Sequence, residues 1–340
     1  MVKRVLMHVG LGRTGTRAIQ RTLAANRPAL TRRGALYPGD GEAHHDLLAL
    51  VHPKGPRHSW YTRQRISPMA AKCLAERQMS SIRAAAATGA PVILLSSQHF
   101  QSMGSAQFSR LDDQIAALGY QLETLCYIQD PLSHTASRIE QGVKQDTARI
   151  AQMMDRPYPP LAREHCDAAL RALGANRVHL RRTKDTVRGG LTEDLLRIAG
   201  LNFIPGTILD HPGEAGLCHD AIYLLDAINA ADADLGPERP TYWEHQAELF
   251  AMKGHRFMLP PTVARRIQAQ ARIEQDWLFR HFGTCYPAQD IKDVPTHWQE
   301  IEWARDTLAD VTEAAVAHVD LNPTAPAAQG WPLQPQAMSA

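Results

Sequence analysis

His8-Val9-Gly10-Leu11-Gly12-Arg13-Thr14-Gly15-Thr16 follows the apolar run Val5-Leu6-Met7 and leads at once into Ala18, Ile19, Leu23 and Ala24. The apolar run is of strand type, and the spacing after Thr16 is that of one helix face. A strand, a glycine-rich turn and a helix in that order bring backbone N–H groups to the positive end of a helix dipole. Glycines let such a turn take positive φ and approach a ligand closely. Gly10, Gly12, Arg13, Thr14, Gly15 and Thr16 are therefore expected to cradle a phosphate-like anion. Gly10 and Gly15 have the spacing of a Walker A motif, but Thr16 stands where that motif has its Lys, and the nearest cation is Arg13. The difference points away from ATP hydrolysis.

Outward from this stretch the pattern repeats. Strand-type runs at Val5–Val9, Val92–Ser96, Leu122–Ile128 and Val178–Leu180 alternate with helical periodicity. The helices are expected at Thr16–Asn26, Pro68–Ala87, Ala106–Leu118, Pro131–Gln145, Leu161–Leu173 and Leu191–Ile198. Gly89, Gly119, Gly174 and Gly200 sit where helices should end. The fold class implied is α/β, a three-layer sandwich with a parallel sheet of the P-loop NTPase-like kind. Beyond Pro205 only helical signals remain, at Asp220–Ala231, Tyr242–Met252 and Val263–Phe282. The expected organisation is a core over 1–204, a helical extension of the same domain over 205–290, and a C-terminal helix and disordered tail over 291–340.

The 340 residues, 44% hydrophobic, suffice for a large core. With 37 Lys and Arg against 35 Asp and Glu, the net charge of +2 favours no nucleic-acid partner, so an anion site has to be local. Five scattered cysteines form no C-x-x-C pair, no apolar run reaches membrane-spanning length, and no His spacing suggests a metal. A cytoplasmic protein without metal is expected. His52–Pro68 carries Lys54, Arg57, His58, Trp60, Tyr61, Arg63 and Arg65; it reads first as a solvated connection and second as a contact for an anionic or sugar-like substrate.

The stretch His8–Thr16, followed by Ile19-Gln20, Leu23-Ala24-Ala25-Asn26 and Gly34-Ala35-Leu36-Tyr37-Pro38, resembles the N-terminal signature of bacterial sulfotransferase-like proteins. Motifs similar to that family's run through roughly residues 4–202. The resemblance implies a loop that binds the 5′-phosphosulfate of 3′-phosphoadenosine 5′-phosphosulfate (PAPS), with Arg13 in place of the family's loop Lys. It also implies a 3′-phosphate reader at the end of a later strand. Gln129 occupies the place of the family's Arg there, and Ser137 stands eight residues on, sharing a helix face with Gln141 and Lys144. Gln98 stands where related sequences often have Glu, which leaves His99 as the candidate general base. His8 is expected to be structural. Arg181, Arg182, Lys184 and Arg188 either replace the missing Arg or form a salt-bridged surface.

The function implied is sulfuryl transfer from PAPS to a hydroxyl of a small-molecule or carbohydrate acceptor. A relative that binds nucleotide or glycan without turnover is the alternative. A P-loop kinase using Asp130 for magnesium ranks below both.

Overall fold

The computed structural model describes residues 2–157, 162–186, 190–201, 216–231, 246–286 and 291. Its strands are β1 (Arg4–Val9), β2 (Ala35–Leu36), β3 (Val92–Ser97), β4 (Gln121–Ile128) and β5 (Val178–Arg182). Four are the anticipated runs. β2 is too short to carry a period, and it exists by pairing Ala35 with Val92 and Leu36 with Ile93. The sheet has the order β2-β3-β1-β4-β5, and every pairing is parallel.

The longer helices are α1 (Thr16–Ala25), α2 (Pro68–Ala87), α3 (Ser105–Ala116), α4 (Pro131–Lys144), α5 (Ala162–Leu173), α6 (Gly190–Ile198), α7 (His219–Ala231) and α8 (Pro261–Phe282). The helix expected over Tyr242–Met252 is described only as Gln246–Ala251. α2 begins where Ser67 accepts the Ala70 N–H at 3.2 Å with Pro68 next in line, the arrangement that satisfies an open first turn. Gly89 and Gly119, at φ 77° and 78°, end α2 and α3 in the left-handed conformation that an L side chain resists.

Side chains of successive strand residues point to opposite faces, and the core divides accordingly. Val5, Met7, Val9, Ile93, Leu95, Cys126 and Ile128 pack with Met79 and Ile82 of α2 and with Phe108, Leu111 and Ile115 of α3. Leu6, Leu94, Leu125 and Tyr127 pack with Ile19 and Leu23 of α1 and with Leu195 and Leu196 of α6. Helices thus cover both faces of the sheet. Each such aliphatic side chain, fully buried, contributes about 1.5–3 kcal/mol.

One buried polar group ties the second face together. Asp194 of α6 is fully buried and accepts two hydrogen bonds from Arg181 of β5, at 2.9 and 3.2 Å. It also accepts one from the Tyr127 hydroxyl at 3.1 Å and one from Arg197.

Contacts divide the chain into two interleaved units, not at one cut after residue 204. The unit that holds the sheet comprises Met1–Arg138, Tyr158–Ala215 and Arg265–Gln289. α8 lies mostly in it because Ala271, Trp277 and Leu278 belong to the same core cluster as the strand residues. The other unit comprises Ile139–Pro157, Gly216–Ala264 and Asp290–Ala340. Within it Lys144 pairs with Glu140 at 2.6 Å, Glu140 accepts the Leu217 N–H, and Asn229 of α7 donates to the Val143 carbonyl at 2.8 Å. Arg188 and, apart from residue 291, the expected terminal helix and tail lie outside the described residues.

The register places His8 opposite Ser96, and Val9 opposite Ser97 and Cys126, so β1, β3 and β4 finish at one edge. The chain leaves β1 towards β2 and β3 but leaves β4 towards β5. Adjacent strands whose connections depart in opposite directions open a crevice at their carboxyl ends, the place where α/β sheets hold ligands.

Candidate functional site

The glycine turn lies at that edge between β1 and α1. Gly10 donates its N–H to the Ser97 carbonyl at 3.1 Å, and a Cβ on it would sit 2.4 Å from Thr16 Cγ2. Gly15 has φ 77°, and a Cβ there would lie 2.4 Å from Leu191 Cδ1 of α6. Both positions exclude a side chain, whereas Gly12 is exposed with open space around it. Arg13 takes φ 67°, a conformation that costs a non-glycine residue roughly 1–3 kcal/mol and that concentrates at functional turns.

Thr14 and Thr16 are buried, and both hydroxyls donate to the Leu11 carbonyl, at 2.8 and 3.3 Å. They brace the turn. α1 starts with neither a side-chain cap nor an acidic residue in its first turn. Its first N–H groups, together with the helix dipole, suit an anion.

Across the crevice β4 ends in Gln129 and Asp130. Asp130 is buried and accepts the Ser133 N–H at 2.9 Å, capping α4 in front of Pro131. That oxygen, Oδ1, is committed to the helix. Gln129 presents a buried Oε1 that has no hydrogen-bond partner among the described residues. Ser137 is partly buried two turns into α4. His134, one turn before Ser137 on the same face, hydrogen-bonds to the backbone of Gly12. His134 was not singled out from the sequence; the signal that could have found it was its i, i+3 spacing to Ser137.

At the end of β3, Ser97 joins two histidines: its hydroxyl lies 2.6 Å from His45 Nδ1 and accepts the His99 N–H at 3.1 Å. The rings of His45 and His99 meet edge to face at 4.7 Å, with Trp60 at 5.3 and 5.7 Å from them and His58 at 5.9 Å from His99. Burial, followed by electrostatic opposition from His45, His58 and Arg63, lowers the His99 pKa to about 3. His99 is therefore neutral at pH 7, as a base must be, but it holds a proton weakly. Gln98, beside it, is partly buried.

His52–Pro68 is more than a solvated connection. Tyr61 is fully buried and donates to the Asp46 carbonyl at 2.8 Å, while Lys54, Arg57, Arg63 and Arg65 remain exposed. His8, as expected, is structural: its Nδ1 lies 2.9 Å from Ser96 Oγ, and burial lowers its pKa to about 3.

The basic cluster on β5 resolves towards structure. Arg181 is held by Asp194, Arg182 by Asp185, and Lys184 stands 3.7 Å from Asp130. Arg181 and Arg182 each fork onto a carboxylate, the salt-bridged arrangement that was one of the two alternatives for this cluster. No protein-family model matches this sequence, and no curated protein matches it.

Proposed function

We propose that the turn Gly10–Thr16 holds the phosphosulfate of PAPS and that the protein transfers its sulfuryl group to a hydroxyl of a small-molecule or carbohydrate acceptor. The acceptor oxygen bonds to sulfur as the bond from sulfur to the bridging phosphate oxygen breaks. The electron pair leaves on the 5′-phosphate of 3′-phosphoadenosine 5′-phosphate (PAP), and the hydroxyl proton passes to a base. Arg13 would neutralise charge on the departing oxygens. The observation that carries the reading is the pair Gly10 and Gly15, where sterics forbid side chains at the uncapped start of α1. The positive φ of Arg13 and the topological switch point support it.

A second reading, a nucleotide-binding relative without turnover, is favoured by the same edge. His99 is a feeble base there, and the amide of Gln98 is not a base at all. One experiment separates the two: calorimetry with PAP and with ATP–magnesium, followed by an acceptor screen with radiolabelled PAPS. PAP binding with label transfer supports sulfuryl transfer, and PAP binding without transfer supports the second reading. Preference for ATP–magnesium overturns sulfuryl transfer and points to the kinase alternative.

Gln129 provides a further prediction. Its unpartnered amide oxygen can offer a 3′-phosphate neither charge nor a bidentate fork. Gln129→Arg should tighten PAP binding roughly ten- to a hundredfold, the equivalent of about 1.5–3 kcal/mol for a charge-assisted hydrogen bond. Adenosine 5′-phosphosulfate, which lacks the 3′-phosphate, should gain little. Equal gains for both nucleotides would refute the placement of Gln129 at the 3′-phosphate.

A further inference from the structure

The surroundings of His134 tie it to the glycine turn. The residue is only 7% exposed, its ring is hydrogen-bonded to the Gly12 backbone, and its Nδ1 has no hydrogen-bond partner among the described residues. The Gly12 contact favours the protonated ring, so the backbone contributes its carbonyl as acceptor and the nitrogen facing it carries a proton. In the neutral ring Nδ1 is then a bare acceptor, and burying an acceptor without a donor is costly.

Arg138 from α4, His165 from α5 and Arg13 from the turn all lie close enough to disfavour charge on His134. His165 is itself engaged, its Nδ1 3.0 Å from the Gln101 carbonyl. Arg13 belongs to the turn that leads into α1, and His134 meets that turn at Gly12. An anion seated there gives a protonated Nδ1 something to donate to.

We propose that an oxyanion seated at the glycine turn is held in part by His134 in its doubly protonated form, so that binding there draws a proton into the site. The inference rests on reading Gly10–Thr16 as a phosphate site. In the free protein burial is the main influence that keeps His134 neutral, with Arg138 next, and its pKa is lowered to about 4. A bound dianion opposes both influences and raises that pKa. Linkage then makes anion affinity fall as pH rises, by up to about tenfold per pH unit between the free and bound pKa values. His134→Gln preserves a donor for the Gly12 carbonyl but cannot take up a proton.

Inorganic sulfate, a dianion throughout the neutral range, is the pH probe, and PAP is the nucleotide probe. Sulfate should bind about tenfold more tightly near pH 5.5 than near pH 7.5, and this dependence should vanish in His134→Gln. Nitrogen NMR of the His134 ring in the unsubstituted full chain should move from the neutral to the imidazolium signature as PAP is added. Binding of sulfate or PAP that leaves the ring neutral overturns the inference and leaves the phosphate reading in place. If neither anion binds, both fall together.

Discussion

Asp194→Ala is expected to destabilise the protein by about 3 kcal/mol, the low end for removing one partner from a buried ionic cluster. Asp194 is fully buried and gathers Arg181, Arg197 and Tyr127 around one carboxylate, which joins β5, α6 and β4. The low end applies because Arg181 and Arg197 keep 35% and 54% of their side chains exposed and can turn to water. The Tyr127 hydroxyl retains the Leu191 carbonyl at 3.1 Å. The pH dependence follows from the same cluster. Burial alone would raise the Asp194 pKa, but the hydrogen bonds from Arg181 and Arg197 outweigh it and hold the carboxyl below its ordinary value. A depressed folded pKa gives stability that is complete above the unfolded value of about 4 and is lost as pH falls through the folded one. The deficit of Asp194→Ala should therefore be full at neutral pH and shrink in acid. Denaturant titrations of both proteins near pH 7 and near pH 3 check this. An unchanged midpoint at neutral pH would remove Asp194 from the stabilising network.

The second large effect is on binding. PAP at a hundred times its dissociation constant should stabilise the protein by about 2.7 kcal/mol, read as a rise in Tm, and Arg13→Ala should remove most of that rise. Arg13 is the one cation within Gly10–Thr16, and its backbone already sits in the left-handed region at φ 67°. Arg13→Gly separates charge from conformation. Glycine accepts that φ without strain, so the free protein should be no less stable while the PAP-induced rise still disappears. A rise that survives both substitutions would place the nucleotide elsewhere.

What could be read in advance depended on how local the cause was. β1, the turn and α1 were legible because alternation, glycine spacing and helical periodicity are set by neighbours along the chain. The glycines ending α2 and α3 were legible for the same reason: a left-handed φ is a property of one residue. β2 was not legible, because two residues carry no pattern and only pairing with β3 makes them a strand. α8 read as part of an extension, yet Ala271, Trp277 and Leu278 are buried in the sheet core, which depends on surfaces far away in sequence. The basic residues of β5 could have served either reading until Asp194, 13 residues beyond Arg181, was found to hold that side chain.

By itself the sequence determined the α/β alternation and the place of the glycine turn between β1 and α1, since both follow from φ preferences and side-chain periods within a few residues of Gly10. Tertiary structure alone decided which groups surround that turn. His45 meets Ser97 and His99 across 52 and 54 positions of chain, and His134 reaches Gly12 across more than a hundred. Those meetings follow from the strand order β2-β3-β1-β4-β5, which sets the ends of β3 and β4 on either side of β1. Burial created by that order turns histidines that would titrate near neutrality into neutral rings, because desolvation is a property of the packed interior and not of any stretch of residues.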